Sequence, residues 1–165
     1  MHSTRLSLCA AILVGTAFAR PVNAAGGKAN SATERIAKIE QDMTTAQNAD
    51  QVVKDYDPNI VVYDMYGNSM IGRDVVRDDY AALFVTIKNA KLIILSMAIE
   101  GNGKLGFAYS MQHLTATSTV NNSPIDIVFR QTDCFHYVHG KWLIINQHIS
   151  VPFDGKTGLA VLNSK

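Results

Sequence analysis

The stretch from Lys91 to Val151 constrains this chain most. It is strand-forming almost throughout and is broken at only three places, "GNG" (Gly101 to Gly103), "TVNNSP" (Thr119 to Pro124) and "HG" (His139 and Gly140). Connections this short join antiparallel neighbours, because a parallel crossover needs a dozen residues or more. Four long antiparallel strands are therefore expected, with "AKLIILSMAIEGNGKLGFAYSMQHLTATS" as the first hairpin, "PIDIVFRQTDCFHYV" as the third strand and "KWLIINQHISV" as the last.

Upstream of Lys91 the apolar period changes from two to about 3.6. "SATE" from Ser31 to Glu34 has capping-box spacing, and Ile36, Ile39, Met43 and Ala46 follow as one stripe, which predicts a helix of about 15 residues. A second, short helix is predicted with Asp50 as its cap and Val52, Val53 and Tyr56 facing inward. "YDPN" reads as a turn, "NIVVYD" (Asn59 to Asp64) as a strand, and Arg73 to about Ile87 as a third helix with Val75, Val76, Tyr80, Leu83 and Phe84 on one face. The element order predicts an α+β domain, its three helices gathered on one face of a curved, mostly antiparallel sheet.

At 165 residues and 47% hydrophobic, the chain suits a single domain with a substantial core. Its start differs in kind. "MHSTR" is basic, "LSLCAAILVGTAFA" (Leu6 to Ala19) is wholly apolar but too short to span a bilayer, and "VNA" (Val22 to Ala24) places small residues where a signal peptidase cuts. Residues 1–24 are thus expected to be a secretory signal cleaved after Ala24, with Ala19 as the alternative point and a retained membrane anchor as the competing reading. The protein is expected to be secreted or periplasmic, with no membrane association after the signal is removed. Residues 25–32 read as a flexible lead-in, 33–154 as the domain and 155–165 as a tail. Loss of the signal removes Arg5 and Arg20 from 15 bases and nothing from 14 acids, which leaves a formal charge of −1. No basic run survives to track a phosphate backbone, so nucleic acid is excluded as an expected partner. Cys9 falls in the signal and Cys134 is left without an internal disulfide partner, to be buried or to pair between chains.

Strand parity assigns neighbours on a face. Trp142, Ile144, Asn146, His148 and Ser150 share one face of the last strand, and Arg130, Thr132, Cys134 and His136 share one face of the strand before it. A tight turn at His139 and Gly140 then brings Arg130 and Thr132 beside His148 and Ser150. In the favoured register these four form a polar patch on a mostly apolar concavity, suited to a small ligand with an oxygen to bind. His148 could serve as a general acid or base, or as a structural histidine bonded to a carbonyl or to Asp154. Ser150 lacks a nucleophile elbow and fits a hydrogen-bonding role. Asp64 follows the parity of Ile60 and Val62, so it is either a base whose carboxylate is pushed against apolar groups or a turn residue before "MYGN". Trp142 reads most simply as a core aromatic. The histidines lack metal-ligand spacing, "GNGKLG" ends in no G-K-[ST], and neither metal nor cofactor is expected.

Two segments carry a resemblance. "DYDPNIVVYDMYGNSMIGRDVVRDDYAALF" resembles the start of SnoaL-like and ketosteroid-isomerase-like domains, and "RQTDCFHYVHGKWLIINQHISVPFD" resembles their closing hairpin. The resemblance spans about Thr33 to Asp154. It implies a cone-shaped fold of the nuclear-transport-factor-2 type, a homodimer formed through the sheet, and an apolar pocket between helices and sheet. It also implies an Asp base, whose place Asp64 matches, working with a Tyr and a protonated Asp as oxyanion donors. The first helix carries no tyrosine, and Cys134 falls nearest the second acid's position with Asp133 beside it. The function expected is binding of a small apolar or aromatic molecule. If the protein is an enzyme, it is a cofactor-independent isomerase or lyase with Asp64 or His148 as acid/base, Arg130 stabilising an anion, and Trp142 and Tyr80 shaping the cavity. The alternative is a binding or assembly module without turnover.

Overall fold

A computed structural model describes residues 27–164; the secretory signal expected over residues 1–24 lies outside them. Helix α1 (Gly27–Thr44) starts four residues before the expected cap at Ser31, so part of the anticipated lead-in is helical. Once a helical turn is nucleated, each added residue costs little, which allows the extension. The stripe of α1 seats Ile36 and Glu40 in the interior, both no more than 1% exposed, with Ile39 and Met43 packed beside them.

Asn48, not Asp50, caps α2 (Ala49–Val52): its Oδ1 accepts the Gln51 N–H at 3.0 Å. A single 3₁₀ turn then runs directly into β1 (Tyr56–Tyr63), so "YDPN" lies within a strand where a turn was expected. The pairing of β1 is irregular between Tyr56 and Val61, the stretch that holds Pro58, which has no N–H to give a ladder. A three-residue strand not anticipated from sequence, β2 (Ser69–Ile71), pairs antiparallel with β1 at the sheet edge. Helix α3 (Arg73–Thr86) begins where predicted and passes straight into β3 (Ile87–Gly101), four residues earlier than the strand-rich run suggested. Irregular pairing between Lys88 and Lys91, with Asn89 at φ 54°, absorbs the change of direction.

Strands β4 (Leu105–Ser118), β5 (Pro124–Val138) and β6 (Lys141–Ser150) complete one six-stranded sheet in the order β2-β1-β6-β5-β4-β3. All neighbours are antiparallel except β1 and β6. His139 (φ 49°) and Gly140 (φ 83°) supply the two positive φ angles that a two-residue hairpin turn requires. The core fills the space between helices and sheet with Ile36, Tyr56, Ile60, Val76, Phe135 and Ile144. A Cβ on Gly106 would lie 2.7 Å from Ile36 Cδ1, so this glycine leaves room for the Ile36 side chain against the sheet. Trp142 belongs to the core, 5% exposed and 5.2 Å from the Tyr137 ring, and so does not shape the cavity as expected.

One irregularity in β6 redirects its second half. Ile144 pairs with Phe135 and Asn146 with Cys134, so Ile145 is an extra residue opposite no partner. A bulge of this kind inverts the alternation. Trp142 and Ile144 face inward before it; after it Gln147, 1% exposed, faces inward and His148 is exposed. Beyond Ser150 the chain folds back rather than trailing away. Phe153 bridges Ala160, and the Val128 N–H donates to the Leu162 carbonyl at 2.6 Å, using a β5 donor that β6 has left free.

Candidate functional site

Between the helices and the inner face of the sheet lies a cavity of about 410 Å³. Three features of its lining follow from the elements around it. Its wall is apolar and adaptable, with Met43 from α1, Met65 from the turn after β1, Met70 from β2, and Leu83 and Phe84 from α3. Its polar end is formed by Tyr80, Gln112, Gln131 and Gln147, inward-facing residues of α3, β4, β5 and β6. Asp64 and Asp79 also line it.

The polar end rests on a buried carboxyl pair. Asp133 is 1% exposed; its Oδ2 accepts from Gln131 Nε2 at 2.6 Å and its Oδ1 from Gln147 Nε2 at 2.9 Å. Gln147 Oε1 in turn accepts from the hydroxyls of Tyr56 (3.1 Å) and Tyr80 (3.2 Å). Glu40 projects from α1 toward Asp133, and neither of its buried oxygens receives a donor from the described residues. Two carboxylates cannot both stay ionised in such a place, so the pair retains a proton. Burial, then the charge of Asp133 and a hydrogen bond with it, push Glu40 up to about 10. Burial also raises Asp133, but the hydrogen bonds from Gln131, Glu40 and Gln147 hold it to about 6. At neutral pH Glu40 is therefore the protonated donor and Asp133 the acceptor. Both phenols stay protonated: burial drives Tyr80 to about 12, and Tyr56 rises well above its ordinary value for the same first reason.

Asp64 has the inward parity expected of it and lines the cavity, but its electrostatics differ from the expectation of a weakened anion. Burial alone would raise its pKa. The Asn68 side chain and the backbone N–H groups of Asn68, Tyr66 and Gly67 outweigh that effect, and the pKa is lowered. Oδ1 accepts from Tyr66 N at 2.9 Å and Asn68 N at 2.7 Å, and Oδ2 from Asn68 Nδ2 at 2.7 Å. The residue is thus both the organiser of the turn after β1 and an ionised group of the cavity. Asp79 shifts the other way, raised by partial burial and by the charge of Asp64.

Arg130 pairs with Ser150 and Thr132 with His148, so the four gather on one face, in a register that the Ile145 bulge creates. That face is the outer one, because the Ile145 bulge turns Gln147 rather than His148 toward the cavity. The expectation that the patch lines the concavity is corrected accordingly. His148 lies edge-on to Tyr63, with ring centroids 6.1 Å apart, and the Arg130 guanidinium lies 3.5 Å from Ser164 Oγ. Half-buried Cys134 faces outward as well, opposite Phe107, which with Tyr109 leaves this side of the sheet substantially apolar. Of the ligand-binding residues expected from sequence, Tyr80 alone lines the cavity.

Gln131 and Asp133 lie on the strand parity opposite to that of Arg130 and Thr132, and Gln147 on the parity opposite to that of His148 and Ser150. Glu40 was readable, since it follows Ile36 by four positions and so lies on the apolar stripe of α1.

Residues 38–154 match a family model described as a SnoaL-like domain. Among solved structures, an NTF2-like protein of unknown function from Pseudomonas putida KT2440 is 18% identical with a TM-score of 0.73, over 82% of this chain and 97% of that one. An uncharacterised protein with a cystatin-like fold from Caulobacter vibrioides is 17% identical with a TM-score of 0.66, over 76% and 92%. A ketosteroid isomerase-like protein from Erwinia carotovora atroseptica is 16% identical with a TM-score of 0.64, over 73% and 96%. At identities this low, the structural likeness shows a shared fold alone. A search of curated proteins finds no match.

Proposed function

Since the chain belongs to the SnoaL-like domain family, whose fold hosts both enzymes and binding modules, we propose that it is an exported protein whose cavity binds a small, mostly apolar molecule. The observation that carries this reading is the lining: a methionine-rich wall around about 410 Å³, with hydrogen-bonding side chains collected at one end. Such a site takes up an apolar body and orients it through one or two polar atoms.

The methionines supply the test. With methyl-labelled methionine, small aromatic alcohols are expected to shift the resonances of Met43, Met65 and Met70 and to leave Met111, on the outer face of β4, in place. Filling the cavity with Met70→Trp should abolish the response. Shifts at Met111 alone, or undiminished binding by the filled variant, would remove the reading.

A second reading, turnover by proton transfer, is favoured by one observation: Asp64 is held ionised in a cavity that the protonated phenol of Tyr80 also lines. Asp64 would accept a proton from carbon while the Tyr80 hydroxyl, turning from Gln147 Oε1 to the ligand, steadies the charge that develops. In deuterated water, a bound ligand with an acidic C–H should then exchange that hydrogen. Asp64→Asn is expected to slow the exchange by about a hundredfold or more, the usual scale for loss of a general base. Equal exchange rates in the two proteins would reduce the function to binding.

A further inference from the structure

We infer that the free edge of β3 pairs with the same strand of a second copy, antiparallel and with Lys91 opposite the partner's Glu100, so that two six-stranded sheets join into one. β3 ends the sheet, and over residues 88–100 no backbone hydrogen bond reaches its outer edge among the described residues. The opposite edge, β2, is only three residues long, a common way to blunt an edge. β3 has 15 residues, none of them buried, although Leu92 to Ile99 ("LIILSMAI") carry no charge and no proline. A long apolar edge of this kind presents a row of donors and acceptors that another strand fills.

The charge pattern selects a second copy as that strand. The pairing of β3 with β4 slips between Ile94 and Ser96 and leaves Leu95 as an extra residue. Before it, Leu92 and Ile94 lie opposite Leu114 and Gln112 on the inner face; after it, Met97 and Ile99 lie opposite Ser110 and Ala108, also on the inner face. Lys91 and Glu100 are an odd number of positions apart and would stand on opposite faces of a regular strand. The extra residue puts both on the outer face, across from Thr115 and Phe107. Both are exposed and neither has an ion-pair partner among the described residues, whereas Lys88 Nζ is held by Asn122 Oδ1 at 2.7 Å.

A two-fold axis between Leu95 and Ser96 sets Lys91 against the partner's Glu100 at both ends of the joint. The same axis sets Leu92 against the partner's Ile99, Ile93 against the partner's Ala98 and Ile94 against the partner's Met97, each pair matched in face. A slip of one residue would break the match of charges and the match of faces together. Lys91 therefore admits a second copy and disfavours an unrelated strand. Leu92 also lines the cavity, so in this register the partner's Ile99 extends that wall. An interface of one strand pair is small, and the dimer is expected to be a weak one that forms across the micromolar range.

Sedimentation equilibrium and amide hydrogen exchange of the purified protein, from micromolar to millimolar concentration, test the pairing. Dimer formation is expected to slow exchange at alternate amides between Lys91 and Glu100 and to leave those of β2 unchanged. Lys91→Glu places like charges opposite each other at both ends and should weaken the dimer about tenfold, and adding Glu100→Lys should restore it to within about threefold of the parent. Added salt should weaken the parent dimer and strengthen that of the single variant. A protein that stays monomeric, a dimer that leaves β3 exchange unchanged, a single variant that dimerises like the parent, or a charge reversal without rescue overturns the inference. So does protection of the β3 edge at every concentration, which would mean that a segment of the same chain already covers it.

Discussion

Replacing Glu40 by glutamine is expected to stabilise the protein by roughly 2–3 kcal/mol at pH 7 and to flatten the dependence of its stability on pH. Burial raises Glu40 from an ordinary 4.5 to about 10 in the folded state, so between those values the folded protein holds a proton that the unfolded chain has released. The stability linked to this group is complete below its unfolded pKa and is lost as pH rises through the folded one, at about 1.4 kcal/mol per pH unit. Asp133, raised to about 6, adds a loss of the same sign over the acid end of that range. Glutamine keeps the shape of the protonated acid and can still donate to Asp133, but has no proton to lose. Urea unfolding of the two proteins from pH 5 to pH 9 checks this, with curves that meet near pH 5 and diverge as pH rises. Parallel curves would mean that Glu40 is not held protonated by the fold.

Changing Asp133 to asparagine is expected to have the opposite effect, a loss of roughly 3 kcal/mol at pH 7. The two oxygens of Asp133 accept from Gln131 and Gln147, and Glu40 directs its proton at the same carboxyl. An asparagine offers one oxygen and turns an NH₂ group against one of these donors, all of which are buried. The loss should propagate to the ligand end of the cavity, because Gln147 is oriented between Asp133 on one side and the hydroxyls of Tyr56 and Tyr80 on the other. A lowered melting temperature, together with altered Met43 and Met70 resonances, is the expected result. A variant as stable as the parent would show that the carboxylate of Asp133 does not organise the network. Combining Glu40→Gln with Asp133→Asn should give a total that departs from the sum of the single changes, as residues in one hydrogen-bond network do.

Much of the fold was readable from local chemistry. Val75 to Phe84 repeat with the period of a helix, and the structure has that helix from Arg73 to Thr86. His139 and Gly140 are residues that tolerate positive φ, and the turn they form has it at both positions. The parity of Ile60, Val62 and Asp64 placed all three toward the interior, where Ile60 and Val62 are buried and Asp64 reaches the cavity. In each case the signal lies within a few residues of the feature it predicts.

The wall of the site was not readable in that way. His148 and Ser150 have the parity of Trp142, and only the unpaired Ile145 separates them from the interior. Nothing in "WLIINQHIS" marks Ile145 as the extra residue, since a bulge depends on how β6 must curve between β5 and β1. The same limit applies to Glu40. Its position on an apolar stripe could be read, but its proton could not, because the pKa depends on Asp133, 93 residues away in the chain.

The sequence by itself therefore determined most of the elements, the hairpins and the family. Each of these depends on periodicity, turn chemistry or a local motif. Only the tertiary structure decided that Arg130, Thr132, His148 and Ser150 stand together and on which side of the sheet, that Gln131, Asp133 and Gln147 form the floor of the cavity, and that Asp64 is a firmly held anion. Those outcomes depend on one inserted residue in a paired strand and on the burial of charges brought together from distant segments, and both are properties of the assembled fold.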